Sequence, residues 1–278
     1  MSTKIYEITI SGRVQGVGFR PFIFNLAKKN DIKGFVTNNA TGVFINAAAE
    51  EQILDDFYDQ IVRHKPRSAQ ITSSKKNCIS SADIVVDFSI KPTAPNLFID
   101  IPLTPDFAIC ESCSREILDP ENPRYYYPFT TCTSCGPRYA ITKKFPFERE
   151  NTSIDEFTIC ENCSHEYKNS EDIRFHSQTN SCPNCGITLK LTTNSGELIS
   201  QSNIEIFKII AEKLASGKII ALKNTAGYLL ICDATNEEAV KELRVRKRRP
   251  TKPFAVLFQD TKTIGTYLEM GDIQQNLL

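Results

Sequence analysis

The period of hydrophobic and polar positions changes repeatedly along the chain, and each change marks a segment. Near the start, Tyr6, Ile8 and Ile10 alternate with Ile5, Glu7 and Thr9, the two-residue period of a strand buried more strongly on one side. Residues 22–29 switch to a helical period, with Pro21 in the first turn, where a missing N–H costs nothing. Residues 34–38 and 43–47 return to alternation on either side of Asn39-Ala40-Thr41-Gly42, which predicts a hairpin. Residues 50–64 place Ile53, Leu54, Phe57 and Ile61 on one helical face. Residues 69–79 and 84–90 supply the closing strands. The order βαββαβ plus an extra strand predicts a split βαβ, ferredoxin-like α+β domain over residues 1–91.

A connector over 91–109 is punctuated by Pro92, Pro95, Pro102 and Pro105 and reads as extended. The helical period returns at Ile206, Phe207, Ile210, Ala211 and Leu214, closed by Gly217. Strands over 219–222 and 228–232 follow. Next come a helix over 236–245 capped by Thr235 or Asn236, a strand over 254–258 and a helical stretch over 261–268. This alternation predicts the opening of an α/β domain over 200–278, with no closing element before Leu278.

Between these two patterned regions periodicity fades and cysteine takes over. Eight of the ten cysteines form four CxxC pairs: Cys110/Cys113, Cys132/Cys135, Cys160/Cys163 and Cys182/Cys185. Eighteen residues separate the first pair from the second, and again the third from the fourth, so one unit occurs twice. Two thiolates three positions apart reach one metal from a tight turn, and a second pair completes four ligands. The spacing predicts two structural zinc ions with no open coordination position. One zinc per unit and a crossed arrangement (first pair with fourth, second with third) give the same ligand count. His165 and His176 are surplus to these eight thiolates and read as structural or surface residues. The run Arg124-Tyr125-Tyr126-Tyr127-Pro128-Phe129 could stack on a nucleobase, but a small module needs an apolar cluster more.

The formal net charge is zero, so nothing steers the whole chain toward nucleic acid or an acidic membrane. No stretch approaches the roughly 20 apolar residues of a membrane span, and the N-terminus has no signal-peptide pattern. Zinc-type cysteines suit a reducing cytoplasm.

Candidate chemistry sits where the first strand passes into the first helix, in Gln15-Gly16-Val17-Gly18-Phe19-Arg20. Gly16 and Gly18 permit backbone angles that turn successive N–H groups inward as an anion nest, and the helix N-terminus adds its own. Arg20 can add a planar fork for a phosphate or carboxylate. The full string from Gly12 to Pro21 resembles the acylphosphatase signature, and Gly34-Phe35-Val36-Thr37-Asn38 resembles that family's second motif. The resemblance implies that the loop and Arg20 bind a phosphoryl group while Asn38 orients the attacking water. Lys247 to Pro253, followed by Phe254-Ala255-Val256, resembles the YrdC/Sua5 domain, which implies nucleotide-phosphate contacts at Lys247, Arg249 and Lys252. Against that stands the bland reading of cations at a helix C-terminus.

All three resemblances occur in this order in the HypF family of hydrogenase maturation carbamoyltransferases. The chain resembles the N-terminal part of that family: an acylphosphatase domain at 1–91, connector and two zinc units at 92–190, and the start of a YrdC-like domain at 200–278. Asn224-Thr225-Ala226 departs from the glycine-rich turn usual there. The resemblance implies hydrolysis of carbamoyl phosphate in the first domain, ATP-dependent carbamoyl-adenylate formation in the YrdC-like domain, and transfer to the C-terminal cysteine of a partner maturation protein for cyanide ligand synthesis. This chain by itself is expected to carry only the first step. A zinc-containing docking or nucleic-acid-binding module without turnover is the competing expectation.

Overall fold

The computed structural model describes residues 3–79, 86–93, 100–224 and 227–277. They divide into two units, Met1–Asn203 and Ile204–Leu278.

The first unit begins with β1 (Lys4–Arg13), α1 (Phe19–Lys29), β2 (Lys33–Asn39), β3 (Gly42–Ala49), α2 (Glu51–His64), β4 (Gln70–Ile79) and β5 (Phe88–Ile90). They form one sheet in the order β4-β1-β3-β2-β5, antiparallel throughout except for the parallel β2–β5 pair. The βαββαβ plan with an added strand is therefore present. The core lies between one sheet face and the two helices. Ile8, Ile10, Val36, Val43 and Ile45 meet Phe19, Ile23, Ala27, Leu54, Phe57 and Ile61 there, all fully buried. Alternation along β1–β3 places every second side chain on this face.

The elements differ from the sequence expectation in detail. The first helix starts at Phe19 rather than residue 22, because Pro21 fits anywhere in a first turn, where N–H groups lack partners. Ile53 is exposed although Leu54, Phe57 and Ile61 are buried: the sheet covers a narrower stripe of α2 than its apolar pattern offers. The predicted strand residues 84 and 85, like Pro95, lie outside the described residues.

The same unit continues into the cysteine region. It holds α3 (Glu111–Leu118), two short 3-10 turns (Tyr139–Ile141 and Arg149–Asn151), α4 (Glu161–Lys168) and a small ribbon of β6 (Leu191–Thr192) with β7 (Leu198–Ser200). Cys110 and Cys160 occupy the N-cap positions of α3 and α4, so each first CxxC pair spans a helix N-terminus. The partial positive charge there suits a thiolate.

The second unit contains most of α5 (Asn203–Ala215), a hairpin of β8 (Ile220–Asn224) and β9 (Gly227–Ile231), then α6 (Glu237–Lys247), α7 (Thr261–Ile264) and α8 (Asp272–Leu277). Asn236 caps α6 by accepting from Ala239 N at 3.0 Å. Thr225 and Ala226, the departing turn, lie outside the described residues. The expected strand at 254–258 does not form, and the expected helix at 261–268 shrinks to α7. A strand needs a partner edge, and 254–258 pairs with none among the described residues. Phe254 instead packs under the guanidinium groups of Arg244 and Arg249, with centroid distances of 4.8 and 5.3 Å.

Candidate functional site: a glycine loop capped by a cysteine module

The loop after β1 carries the first candidate chemistry. Gly16 and Gly18 both adopt left-handed φ, 71° and 72°, and Gly18 is the N-cap of α1. A Cβ on Gly18 would come within 3.1 Å of Thr133 Cβ, so only glycine both makes this turn and admits the cysteine module so closely. The N–H groups of Gln15, Gly16, Val17 and Gly18 donate to no backbone carbonyl among the described residues. Val17 and Phe19 bury their side chains completely and anchor the loop from below. Gln15 does the same with polar contacts: its Nε2 donates to the carbonyls of Asn39 (3.1 Å) and Gly42 (2.8 Å), tying the loop to the β2–β3 turn. Its carbonyl accepts from Thr104 Oγ1 at 2.9 Å.

Arg20 is the second residue of α1, and Asn38 is the penultimate residue of β2. They belong to one cluster. Glu148 Oε1 accepts from Arg20 Nη1 at 2.8 Å, from Thr93 Oγ1 at 3.0 Å and from Asn38 Nδ2 at 3.5 Å. Asn38 is buried, and its Oδ1 has no hydrogen-bond partner. Arg20, Thr93 and Glu148 border a cleft of about 570 Å³ that Lys144, Tyr167 and His176 also line. Burial, reinforced by the nearby Arg20 charge, pushes the His176 imidazole down to about 4.

Glu148 and Thr93 are neighbours of the candidate site residues that sequence reasoning passed over, and His176 is one that it read only as structural or surface. Glu148 lies between the two cysteine units, in a stretch with no motif of its own. His176 did carry a signal: it is the repeat counterpart of Tyr126, and the two share a left-handed φ of 54° and 55°. It is no metal ligand.

A second residue from the cysteine module, Arg138, braces the loop. It is buried, donates to the Gly16 carbonyl, and also donates to the carbonyls of Cys132, Thr133, Cys135 and Pro137 at 2.8–3.2 Å. Burial pushes its guanidinium below the usual range, against the pull of Cys135 and Cys132. Asn25 on α1 donates to the Ser170 carbonyl, and Phe24 packs on Phe175.

The eight cysteines gather into two groups, Cys110, Cys113, Cys132, Cys135 and Cys160, Cys163, Cys182, Cys185. In each group all sulfurs lie within 4.8 Å of one another, with close pairs at 3.6–3.7 Å. A tetrahedral zinc with Zn–S of about 2.3 Å sets its sulfurs about 3.8 Å apart, so both groups fit the metal. The grouping is one per unit, not crossed. Cys78 and Cys232 belong to neither group.

The two units also reach into each other. Arg124 of the first contacts Glu166 of the second at 2.7 and 2.6 Å, and its Nη2 lies 3.6 Å from Cys163 Sγ. Arg174 of the second pairs with Glu116 of the first, and its Nη2 lies 3.9 Å from Cys113 Sγ. The Thr131 and Thr179 hydroxyls meet at 2.6 Å. Tyr127 is buried against Phe129, so the aromatic run builds a core rather than a stacking platform.

In the second unit, Lys247 ends α6 and is exposed, as is Lys252. Arg249 is partly engaged, with Nη2 donating to the Pro253 carbonyl at 2.9 Å.

Comparison with known proteins follows the same division. Residues 6–90 match the acylphosphatase family, 109–142 and 159–192 the HypF finger, and 212–278 the Sua5/YciO/YrdC family described as telomere recombination. Carbamoyltransferase HypF of Synechocystis is 41% identical over 279 residues, covering 99% of this chain and 36% of that protein. The chain belongs to the HypF family. A crystal structure of full-length HypF in a phosphate- and nucleotide-bound form superposes with a TM-score of 0.89 at 36% identity, over all of this chain and 36% of the other. An acylphosphatase of Pseudothermotoga lettingae is 43% identical over 86 residues, 31% of this chain and 94% of that protein. The chain thus spans about a third of the HypF relatives and nearly the whole of a free-standing acylphosphatase. No helix among the described residues is long and apolar enough to cross a membrane.

Proposed function

We propose that the first domain hydrolyses acyl phosphates, with carbamoyl phosphate as its substrate, as the entry step of a hydrogenase-maturation carbamoyltransferase. The observation that carries this is the convergence of the Gly16–Gly18 amides, Arg20 and Asn38 at one end of the sheet. Loop amides and Arg20 hold the phosphoryl oxygens, where charge is redistributed during transfer. Asn38 is no base, but its buried Oδ1 can accept one hydrogen of a water and aim a lone pair at phosphorus. Water adds to phosphorus, the bond from phosphorus to the carbamoyl oxygen breaks, and phosphate and carbamate leave.

The remainder of the route rests on family membership. Carbamate is adenylated with ATP in the YrdC-like domain, where Lys247, Arg249 and Lys252 face nucleotide phosphates. The carbamoyl group then passes to the C-terminal cysteine of a partner maturation protein, all within the cytoplasm. The two four-cysteine sites hold structural zinc, since four thiolates leave no position for substrate. What zinc supplies is a rigid module; the chain's own Arg138 and Thr133 then fix the loop.

The deciding experiment is phosphate release from carbamoyl phosphate and acetyl phosphate by the purified chain and by Arg20→Ala. Turnover by the wild type that collapses in the variant supports the reading. Turnover that survives the substitution removes the phosphoryl cradle from this loop.

A further inference from the structure

We propose that Glu148, supplied by the segment between the two cysteine units, is a positioning residue that sets both Arg20 and Asn38 for the acyl-phosphate reaction. The inference rests on the acyl-phosphatase reading above and extends it to a residue outside the acylphosphatase domain.

One carboxylate oxygen of Glu148 gathers donors from three elements: Arg20 on α1, Asn38 on β2 and Thr93 after β5. A carboxylate only accepts, so it selects which end of the Asn38 amide turns toward it. Nδ2 points to Glu148 and Thr93, and Oδ1 is left free on the opposite side. That is the orientation in which asparagine can accept a hydrogen from the attacking water. An amide with no such neighbour has two orientations of similar energy, and only one presents the acceptor. The buried, unpartnered Oδ1 is itself a sign of a missing hydrogen-bond donor, because such groups are otherwise paired.

Glu148 engages Arg20 through Nη1, the one guanidinium nitrogen of Arg20 with a partner among the described residues. An arginine fork has five N–H donors. Those on Nη2 and Nε remain for phosphoryl oxygens, so substrate need not displace the carboxylate. The Pseudothermotoga acylphosphatase aligns over 94% of its length with 86 residues of this chain, which leaves no stretch of it to supply a counterpart of Glu148. The cysteine module therefore does more than pack beside the domain: it completes the placement of the two site residues.

The test is steady-state kinetics with carbamoyl phosphate, together with the inhibition constant of inorganic phosphate. The proteins are the wild type, Glu148→Ala, Glu148→Gln, Asn38→Ala and the double variant Asn38→Ala/Glu148→Ala, each checked for zinc content and melting temperature. Removing a direct transition-state hydrogen bond costs about 10²–10³ in rate, so an indirect loss of about 10–100-fold in kcat is expected for Glu148→Ala. KM should rise by no more than about threefold as Arg20 loosens, Glu148→Gln should fall between, and the double variant should lose less than the product of the two single losses, because Glu148 acts in part through Asn38. Fully multiplicative losses would show that Glu148 acts apart from Asn38 and would overturn the proposal. Unchanged kcat would show a packing role only. Faster turnover with tighter phosphate inhibition would make Glu148 a plug in the anion seat and overturn the proposal. A folding defect in Glu148→Ala leaves the decision to the nearly isosteric Glu148→Gln. If the wild type releases no phosphate from either acyl phosphate, the underlying reading fails together with this one; wild-type turnover with unaffected Glu148 variants sinks this one alone.

Discussion

Arg124 closes on Glu166 with two guanidinium nitrogens, at 2.7 and 2.6 Å, although the two residues belong to different cysteine units. Fifty positions later the relation recurs in reverse, Arg174 closing on Glu116. Each arginine also points Nη2 at a cysteine sulfur of the opposite unit. A zinc bound by four thiolates carries net negative charge, so each cation compensates the neighbouring unit's site. Arg124→Ala should therefore destabilise the module by about 3–5 kcal/mol, the cost of leaving a buried partner unpaired. Burial would raise the Glu166 carboxyl, but Arg124 and Asn180 outweigh it and hold it low. Denaturant unfolding of the variant checks the magnitude; a loss under about 1 kcal/mol would mark the pair as ordinary surface electrostatics.

The purified chain should contain two zinc ions. Structural sites of this kind contribute apparent binding free energies of about 10–16 kcal/mol, so strong chelation should unfold 110–192. Because Arg138 and Thr133 brace the Gly16–Gly18 loop from this module, acyl-phosphate turnover should fall with the zinc. Elemental analysis alongside phosphate release measures both. Well under two zincs in protein never exposed to chelator would contradict the assignment.

Arg20→Lys should restore little of the activity lost in Arg20→Ala. An ammonium can meet Glu148 or a phosphoryl oxygen, but it cannot supply a planar fork to both. Asn38→Ala should lower kcat by about 10²–10³ and leave phosphate inhibition nearly intact. The comparison of kcat with the inhibition constant separates water placement from anion binding.

The His176 imidazole, held down to about 4, is neutral in the folded protein at pH values where the unfolded chain, near its ordinary 6.5, is already protonated. The unfolded state then binds more protons between these two values. His176 thus makes stability rise with pH through that window and decline as pH falls from about 6.5 toward 4. Arg20 disfavours the imidazolium, Glu148 favours it, and the Tyr167 ring packs 4.9 Å away. His176→Phe should flatten this part of the stability profile, as thermal unfolding across pH 4–7 would show. An unaltered slope would assign the dependence to other groups.

Local pattern was enough for much of this protein. The two-residue period of β1–β3 and the helical stripe of α2 specify elements, because burial on one face imposes a period on the chain itself. CxxC spacing specifies tight-turn metal ligands for the same reason: three positions is the reach of the turn. Gly16, Gly18 and Arg20 lie within five residues, so their chemistry too is a local property. Where partners are distant, the pattern fell silent or misled. The stretch 254–258 is strand-like in composition, yet a strand exists only against a second edge, and none pairs with it among the described residues. Whether the zinc sites were sequential or crossed depended on which loops met in space, since either grouping satisfies the same spacing. Glu148 sits 128 positions beyond Arg20 and 110 beyond Asn38, in no motif. Hydrogen bonds of that sequence separation leave no periodic trace. Only the packing of the cysteine module over the loop brought this carboxylate to Arg20 and Asn38, and the Arg138 guanidinium to the Gly16 carbonyl.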